Sequence, residues 1–155
     1  MERTLIIIKP DALQRSLVGE IIGRFEKKGL KIAGLKMMEL DDLKLEEHYA
    51  HHKDKPFFGN LKKFMTSSPV LLMALEGADV IKAVRIIVGS TRPIEADSGT
   101  IRGDLAMTNW NLVHASDSLE TAAAEIKRFF AEDELFNYNK VGWEMVYEEE
   151  FNKEL

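Results

Sequence analysis

The chain contains no cysteine among its 155 residues. That excludes a disulfide framework, a thiolate metal site and a thiol nucleophile. Long apolar runs are missing as well. The longest, Leu5–Ile8 and Val70–Leu75, fall far short of the roughly 20 residues that cross a bilayer. Met1-Glu2-Arg3 leads straight into a strand-like segment without a signal-peptide core, so the expected location is the cytoplasm, with no membrane partner. Neither G-x-x-x-x-G-K-[ST] nor G-x-G-x-x-G occurs, and any nucleotide chemistry would have to proceed without a P-loop. No repeat, low-complexity stretch or Pro/Gly/Ser linker interrupts the chain. A single domain over residues 1–155 is expected, ending in an acidic tail at about 148–155. Such a length buries roughly 68–70% of the unfolded surface, enough for a core without staples.

Apolar residues make up 45% and charged residues 30%, and 21 basic against 26 acidic side chains give a net charge of −5. An acidic balance argues against extended polyanions, so nucleic acid is not an expected partner. The charge is unevenly spread. Residues 1–104 carry a net +2 and residues 105–155 a net −7, and residues 132–155 alone carry −6. The acidity therefore belongs to the end of the chain and leaves room for a small cationic pocket elsewhere.

Thr4–Lys9, an apolar run stopped by Pro10, reads as a buried strand. Leu17, Val18, Ile21, Ile22 and Phe25 recur at helical spacing and Gly29 sits at the C-cap. Leu30–Leu40 reads as a strand with a bulge at Gly34. Two short helices, Leu43–His52 and Phe57–Thr66, precede a second continuous apolar strand, Pro69–Glu76. Val80, Ile81, Val84, Ile87 and Val88 form another helical stripe, closed by Gly89. Ser90–Gly103 shows no apolar period and reads as a long polar loop, the kind that usually serves function. Asn111–Ala115 reads as a short strand, and a stripe from Leu119 to Phe130 as a last helix; Val141–Tyr147 is ambiguous. The backbone of this order is βαββαβ. The predicted fold is α+β, a ferredoxin-like sandwich whose antiparallel four-stranded sheet carries added helices and a long loop before the last strand.

Among residues with chemistry, His48 and His52 stand four apart on a helix, a chelating spacing without a third ligand nearby; they read as a solvated helix face. His114 differs. It ends a short strand and is followed by Ser116-Asp117-Ser118, where Asp117 or Ser118 can cap a helix. A helix start is a natural place for an anion. Glu125, two turns into that helix, could accept a hydrogen bond from one ring nitrogen and leave the other free to attack. Lys9 at a strand exit, Arg85 on a helix and Arg102 in Gly99–Asp104 each have a plain reading: a snorkelling lysine, a solvated flank, a loop arginine paired to Asp104. Together they make a set suited to phosphate oxygens.

These segments carry a resemblance. Lys9-Pro10-Asp11-Ala12, Gly19–Glu26, Glu47-His48-Tyr49, Lys55-Pro56-Phe57-Phe58, Gly99–Asp104 and Asn111-Leu112-Val113-His114-Ala115-Ser116-Asp117-Ser118 resemble, in order and spacing, the motifs of nucleoside diphosphate kinases. The resemblance implies transfer of a terminal phosphate from a nucleoside triphosphate to a diphosphate, by a ping-pong route through a phosphohistidine. His114 would be the nucleophile and Glu125 the carboxylate that orients it. Lys9, Tyr49, Arg85, Thr91, Arg102 and Asn111 would hold the phosphates and sugar. Phe57 would stack the base beside Leu61, Ser116 would support Glu125, and Asp117 would stand near Mg²⁺ through water. The implied partners are nucleoside di- and triphosphates and further copies of the chain, as a hexamer or tetramer. Pro93 lies where the family has a proline linked to subunit packing.

Three features depart from the pattern. Ala115 follows the histidine where glycine is common, a change tolerable unless the position needs positive φ. Leu105–Val113 is one residue shorter than in the animal-type pattern. Trp110 stands where an arginine usually precedes the asparagine.

Overall fold

The computed structural model describes residues 1–147; the acidic tail expected at 148–155 lies outside the described residues. Four strands, β1 (Glu2–Ile8), β2 (Lys31–Met38), β3 (Val70–Gly77) and β4 (Val113–Ala115), form one antiparallel sheet in the order β2-β3-β1-β4. The central pair explains the unbroken apolar runs. Ile6 and Ile8 on β1, with Leu71, Met73 and Leu75 on β3, enter one core cluster. Leu5 and Ile7, with Val70, Leu72 and Ala74, enter the other. Successive side chains of a strand point to opposite faces, so a sheet covered on both sides cannot alternate apolar with polar.

Helices α2 (Val18–Lys27) and α5 (Val80–Val88) cover the first face. Ile21 and Phe25 on α2, and Val80, Val84 and Val88 on α5, are the buried stripes. Helices α3 (Asp42–His48) and α4 (Phe58–Met65), inserted between β2 and β3, share the second face with α7 (Leu119–Phe129). The bulge is present, between Ile32 and Gly34. Gly29, at φ +99°, ends α2, and Gly89, at φ +85°, ends α5. No helix among the described residues is long and apolar enough to cross a membrane.

Three local expectations need correction. Pro10 does not only stop β1; it opens a one-turn helix, α1 (Pro10–Gln14), where its missing N–H costs nothing. The stretch Ser90–Gly103 is not wholly loop. It holds a 3₁₀ turn at Pro93–Glu95 and the start of α6 (Ile101–Leu105), capped by the Thr100 side chain. One turn of helix is too short to show a period. The last strand is only Val113–Ala115, because Leu112 takes φ +69° and breaks the extended backbone. Of the two expected cap candidates for α7, Ser118 is the one used: its Oγ accepts from the Thr121 N–H at 3.0 Å. The ambiguous segment forms a 3₁₀ turn, Trp143–Met145, pinned by the buried Trp143, whose Nε1 donates to the Gly29 carbonyl at 3.2 Å.

Candidate active site

Strand β4 places His114 opposite Ile7 of β1. Its Nε2 stands 3.0 Å from both carboxylate oxygens of Glu125 on α7. A carboxylate only accepts, so Nε2 carries the proton and Nδ1 is left with its lone pair. Glu125 is buried and held in turn: Ser116 Oγ donates to its Oε2 at 2.6 Å and accepts from the Leu5 N–H at 3.2 Å. Burial pulls the Glu125 carboxyl upward, but the hydrogen bond and charge of His114, with Ser116, outweigh it and hold it below the usual carboxylate value.

His114 lines a cavity of about 640 Å³. Lys9, Arg85, Arg92 and Arg102 also line it, and among the described residues no carboxylate does. Arg102 is not paired to Asp104, which binds Arg24 instead. The Arg102 guanidinium is buried and spends its donors on three backbone carbonyls: Asn111 at 3.1 Å, Gly89 at 3.1 Å and Val113 at 2.7 Å. It thus ties the end of α5 to the start of β4 while bringing charge without a counter-ion among the described residues. Burial and then the nearby Arg85 lower its pKa to about 10. Lys9 is no snorkelling residue either. Its Nζ donates to Asn111 Oδ1 at 2.7 Å. Burial first, then the charge of Arg102, lower it to about 8, against an opposing pull from Asp11. Asn111 is gripped from both ends, since its Nδ2 donates to the Thr91 carbonyl at 2.9 Å.

The backbone bend at Leu112 sets this geometry. The Val113 N–H bonds the Asn111 carbonyl at 2.8 Å, closing a three-residue turn around a residue with positive φ, a strained form. It persists because Leu112 is fully buried, its N–H donates to Asp11 Oδ2 at 3.1 Å, and its carbonyl accepts from the Lys9 N–H at 2.8 Å. The turn leaves Val113–Ala115 in the sheet and swings Asn111 toward Lys9. Ala115 lies in β4 with no positive φ, so its Cβ is accommodated. Gly103 is needed for close approach: a Cβ there would meet the Asp97 carbonyl oxygen at 2.0 Å.

Tyr49 lines the cavity with its ring 6.3 Å from that of His114. Its buried hydroxyl has no partner among the described residues, and burial followed by the charge of Glu125 raises its pKa. Phe57, Leu61 and Thr91 also line the cavity. Asp117 is exposed and does not line the cavity.

The largest correction concerns His48. It is not on a solvated face; it is 5% exposed, edge-on to His114 with ring centroids 4.6 Å apart. Its Nδ1 lies 3.7 Å from Glu125 Oε1 and 3.4 Å from Arg128 Nη1. Burial and then the charge of His114 lower its pKa to about 3, so the ring is neutral. Leu45, His48 and Tyr49 share one buried face, and the i, i+3, i+4 spacing was the available signal. His52 is half-buried and lines the cavity. Arg92, Phe64 and Trp110 are further lining residues that sequence reasoning did not assign.

His48, His114 and Glu125 offer three ligand atoms within 4.8 Å of one another. Glu125 is already committed to His114 and Ser116, and Arg128 adds a cation beside His48. The cavity wall itself has cations and neutral groups. Such a donor set suits a divalent cation only as a companion of bound phosphates, not in a protein cage.

An oriented imidazole with one free nitrogen, beside four cations and an aromatic rim, suits a phosphotransferase of the ferredoxin-like α+β class. A sequence model of the family described as "Nucleoside diphosphate kinase" matches residues 2–135. The chain is 51% identical over 150 residues to a nucleoside diphosphate kinase of Archaeoglobus fulgidus, covering 96% of this chain and 99% of that one. It is 51% identical over 149 residues to one of Staphylococcus haemolyticus, covering 96% and 100%. The solved structure of a nucleoside diphosphate kinase from Halobacterium salinarum, in complex with CDP, is similar with a TM-score of 0.92 and 45% identity, covering 95% of this chain and 99% of that one. The chain belongs to the nucleoside diphosphate kinase family. It is an enzyme that transfers phosphate between nucleotides, and its family uses a divalent cation.

Proposed function

We propose that His114 is the residue that carries the phosphoryl group. The observation that supports this is the Nε2 contact to both oxygens of Glu125 at 3.0 Å, which leaves Nδ1 as the only ring nitrogen able to attack. In the first half-reaction the Nδ1 lone pair forms the N–P bond to the terminal phosphorus. The bond from that phosphorus to its bridging oxygen breaks, and the nucleoside diphosphate leaves with the electron pair. In the second, the terminal oxygen of another diphosphate attacks the phosphohistidine and the N–P electrons return to the ring. Positive charge that builds on the ring is balanced by Glu125, held in place by Ser116.

Phosphoryl transfer needs positioning and neutralisation of equatorial oxygens more than covalent help. In this reading Arg85 and Arg102 neutralise the phosphates, and Lys9, Tyr49, Thr91 and Asn111 hold phosphate and sugar. Phe57 stacks the base beside Leu61, which gives affinity with little base readout because every base has a π-face. Mg²⁺ is the cation proposed to arrive with the nucleotide and screen its phosphate oxygens; Asp117 would reach it only through water. The same reading takes the chain as a single cytoplasmic domain that forms a homo-hexamer or homo-tetramer. Exposed Leu35 and Met37 on the edge strand β2, and Ile94 beside Pro93, are apolar surfaces suited to another copy.

Incubation with [γ-³²P]ATP and Mg²⁺ is expected to label the protein in an acid-labile, base-stable form. His114→Gln is expected to lose the label and at least about 10⁴-fold in turnover, the scale seen when a nucleophile is removed. Wild-type labelling of that variant would show the assignment to be wrong.

A further inference from the structure

We infer that Trp110 is a specificity-determining residue, a second aromatic wall of the nucleobase slot that favours purine over pyrimidine nucleotides. The inference rests on the proposed nucleotide site and deepens it.

Phe57, the N-cap of α4, and Leu61 and Phe64 within it are spaced i, i+4, i+7, and all three line the cavity. One face of that helix is therefore an apolar stripe along the outer part of the site. The stripe does not end at Phe64. The Trp110 indole, from a different stretch of chain, stacks on the Phe64 ring with centroids 4.9 Å apart and planes 28° apart. It too lines the cavity, yet 62% of its surface is exposed. A large apolar ring left open at the rim of a concave site is a surface kept for a ligand more often than a packing leftover.

The backbone that carries the indole is fixed. Trp110 directly precedes Asn111, which Lys9 and the Thr91 carbonyl hold from both sides, and the buried turn at Leu112 follows. The position is thus rigid to one side and stacked on the other, and little conformational freedom is lost when a base arrives. The cationic inner wall holds the phosphates, so the base projects toward this rim. There Phe57 offers one ring and Trp110 a second, wider one. The bicyclic purine covers more of an indole than the single pyrimidine ring does, and stacking free energy follows the overlap. The resemblance to the family leaves this residue unexplained, since an arginine usually stands there.

The test uses the full-length enzyme and ADP, GDP and CDP. Saturating ADP is expected to change the tryptophan fluorescence of the wild-type protein, and Trp110→Tyr is expected to remove that change while Trp143 keeps the baseline emission. Trp110→Ala is expected to raise KM for ADP and GDP by about tenfold and for CDP by about threefold or less, the range of one lost stacking contact. kcat should change less than KM, and Trp110→Tyr should restore most of the loss. Calorimetric ADP binding with unaltered fluorescence, or an equal KM effect on all three nucleotides, would overturn the inference alone. Absence of calorimetric ADP binding to the wild-type protein would overturn the nucleotide-site reading and this inference with it.

Discussion

At the inner end of the cavity, Glu125 holds His114, Ser116 holds Glu125, and Arg102 and Asn111 are tied to backbone carbonyls before any ligand arrives. At the mouth, Phe57 and Trp110 offer half-open rings whose only aromatic neighbours among the described residues are His52 and Phe64. The two ends do different work. Where a bond must form and break, the groups are fixed in advance, because reorganisation during the reaction adds to the barrier. Where, in the proposed function, a base is only held, open π-surface suffices, and tolerance of many bases is expected because every base has a π-face.

Four perturbations sharpen or break that contrast. Glu125→Gln is expected to have the largest effect. An amide in place of the carboxylate removes the charge that steadies the ring and lets the wrong tautomer compete, at a cost of about 10²–10⁴-fold in kcat, by analogy with histidine–carboxylate pairs elsewhere. Steady-state kinetics with KM nearly unchanged would be the signature. Arg102→Met comes next. Two buried carbonyls and a part-buried one lose their donor, and urea denaturation should show a loss of about 2–4 kcal/mol, alongside weaker nucleotide binding. Stability equal to wild type would mean that the guanidinium does not tie α5 to β4.

Phe57→Ala tests the mouth. KM should rise about tenfold, with kcat and the thermal midpoint little changed, since the ring is already half exposed. A loss in kcat instead would erase the distinction between the two ends. The smallest effect concerns pH. Lys9 has a pKa lowered to about 8, so its charge is lost as pH rises through that value. kcat/KM should decline above about pH 8, by at most about tenfold per unit, and Lys9→Met should flatten that limb. Stability of the ligand-free enzyme runs the other way. The unfolded lysine keeps its proton to a higher pH than the folded one, so urea denaturation should show Lys9 favouring the folded state more as pH rises from about 8 toward 10.5.

Much of this architecture was legible in the chain. β1 and β3 announced themselves because a strand buried on both faces leaves an unbroken apolar run. α2 and α5 did so through i, i+4 stripes ended by glycine. α1 and α6 did not, because five residues hold too little period to distinguish a helix from a loop. In the site, the pairing of His114 with Glu125 was readable from a strand end and a carboxylate two turns into the helix that follows. His48 is legible only in part: its spacing with Leu45 and Tyr49 marks a buried face, but nothing local in the chain tells which side chains cover it.

The sequence by itself determined the strand and helix order, the family and the residue types available to hold phosphate. Those depend on local periodicity and on motifs contiguous in the chain. Only the tertiary structure decided that Arg102 serves three carbonyls rather than Asp104, that Leu112 is held at positive φ by Asp11, that His48 is buried neutral against His114, and that Trp110 rests on Phe64. Each of these joins residues separated along the chain, and which partner wins is settled by what burial brings within reach.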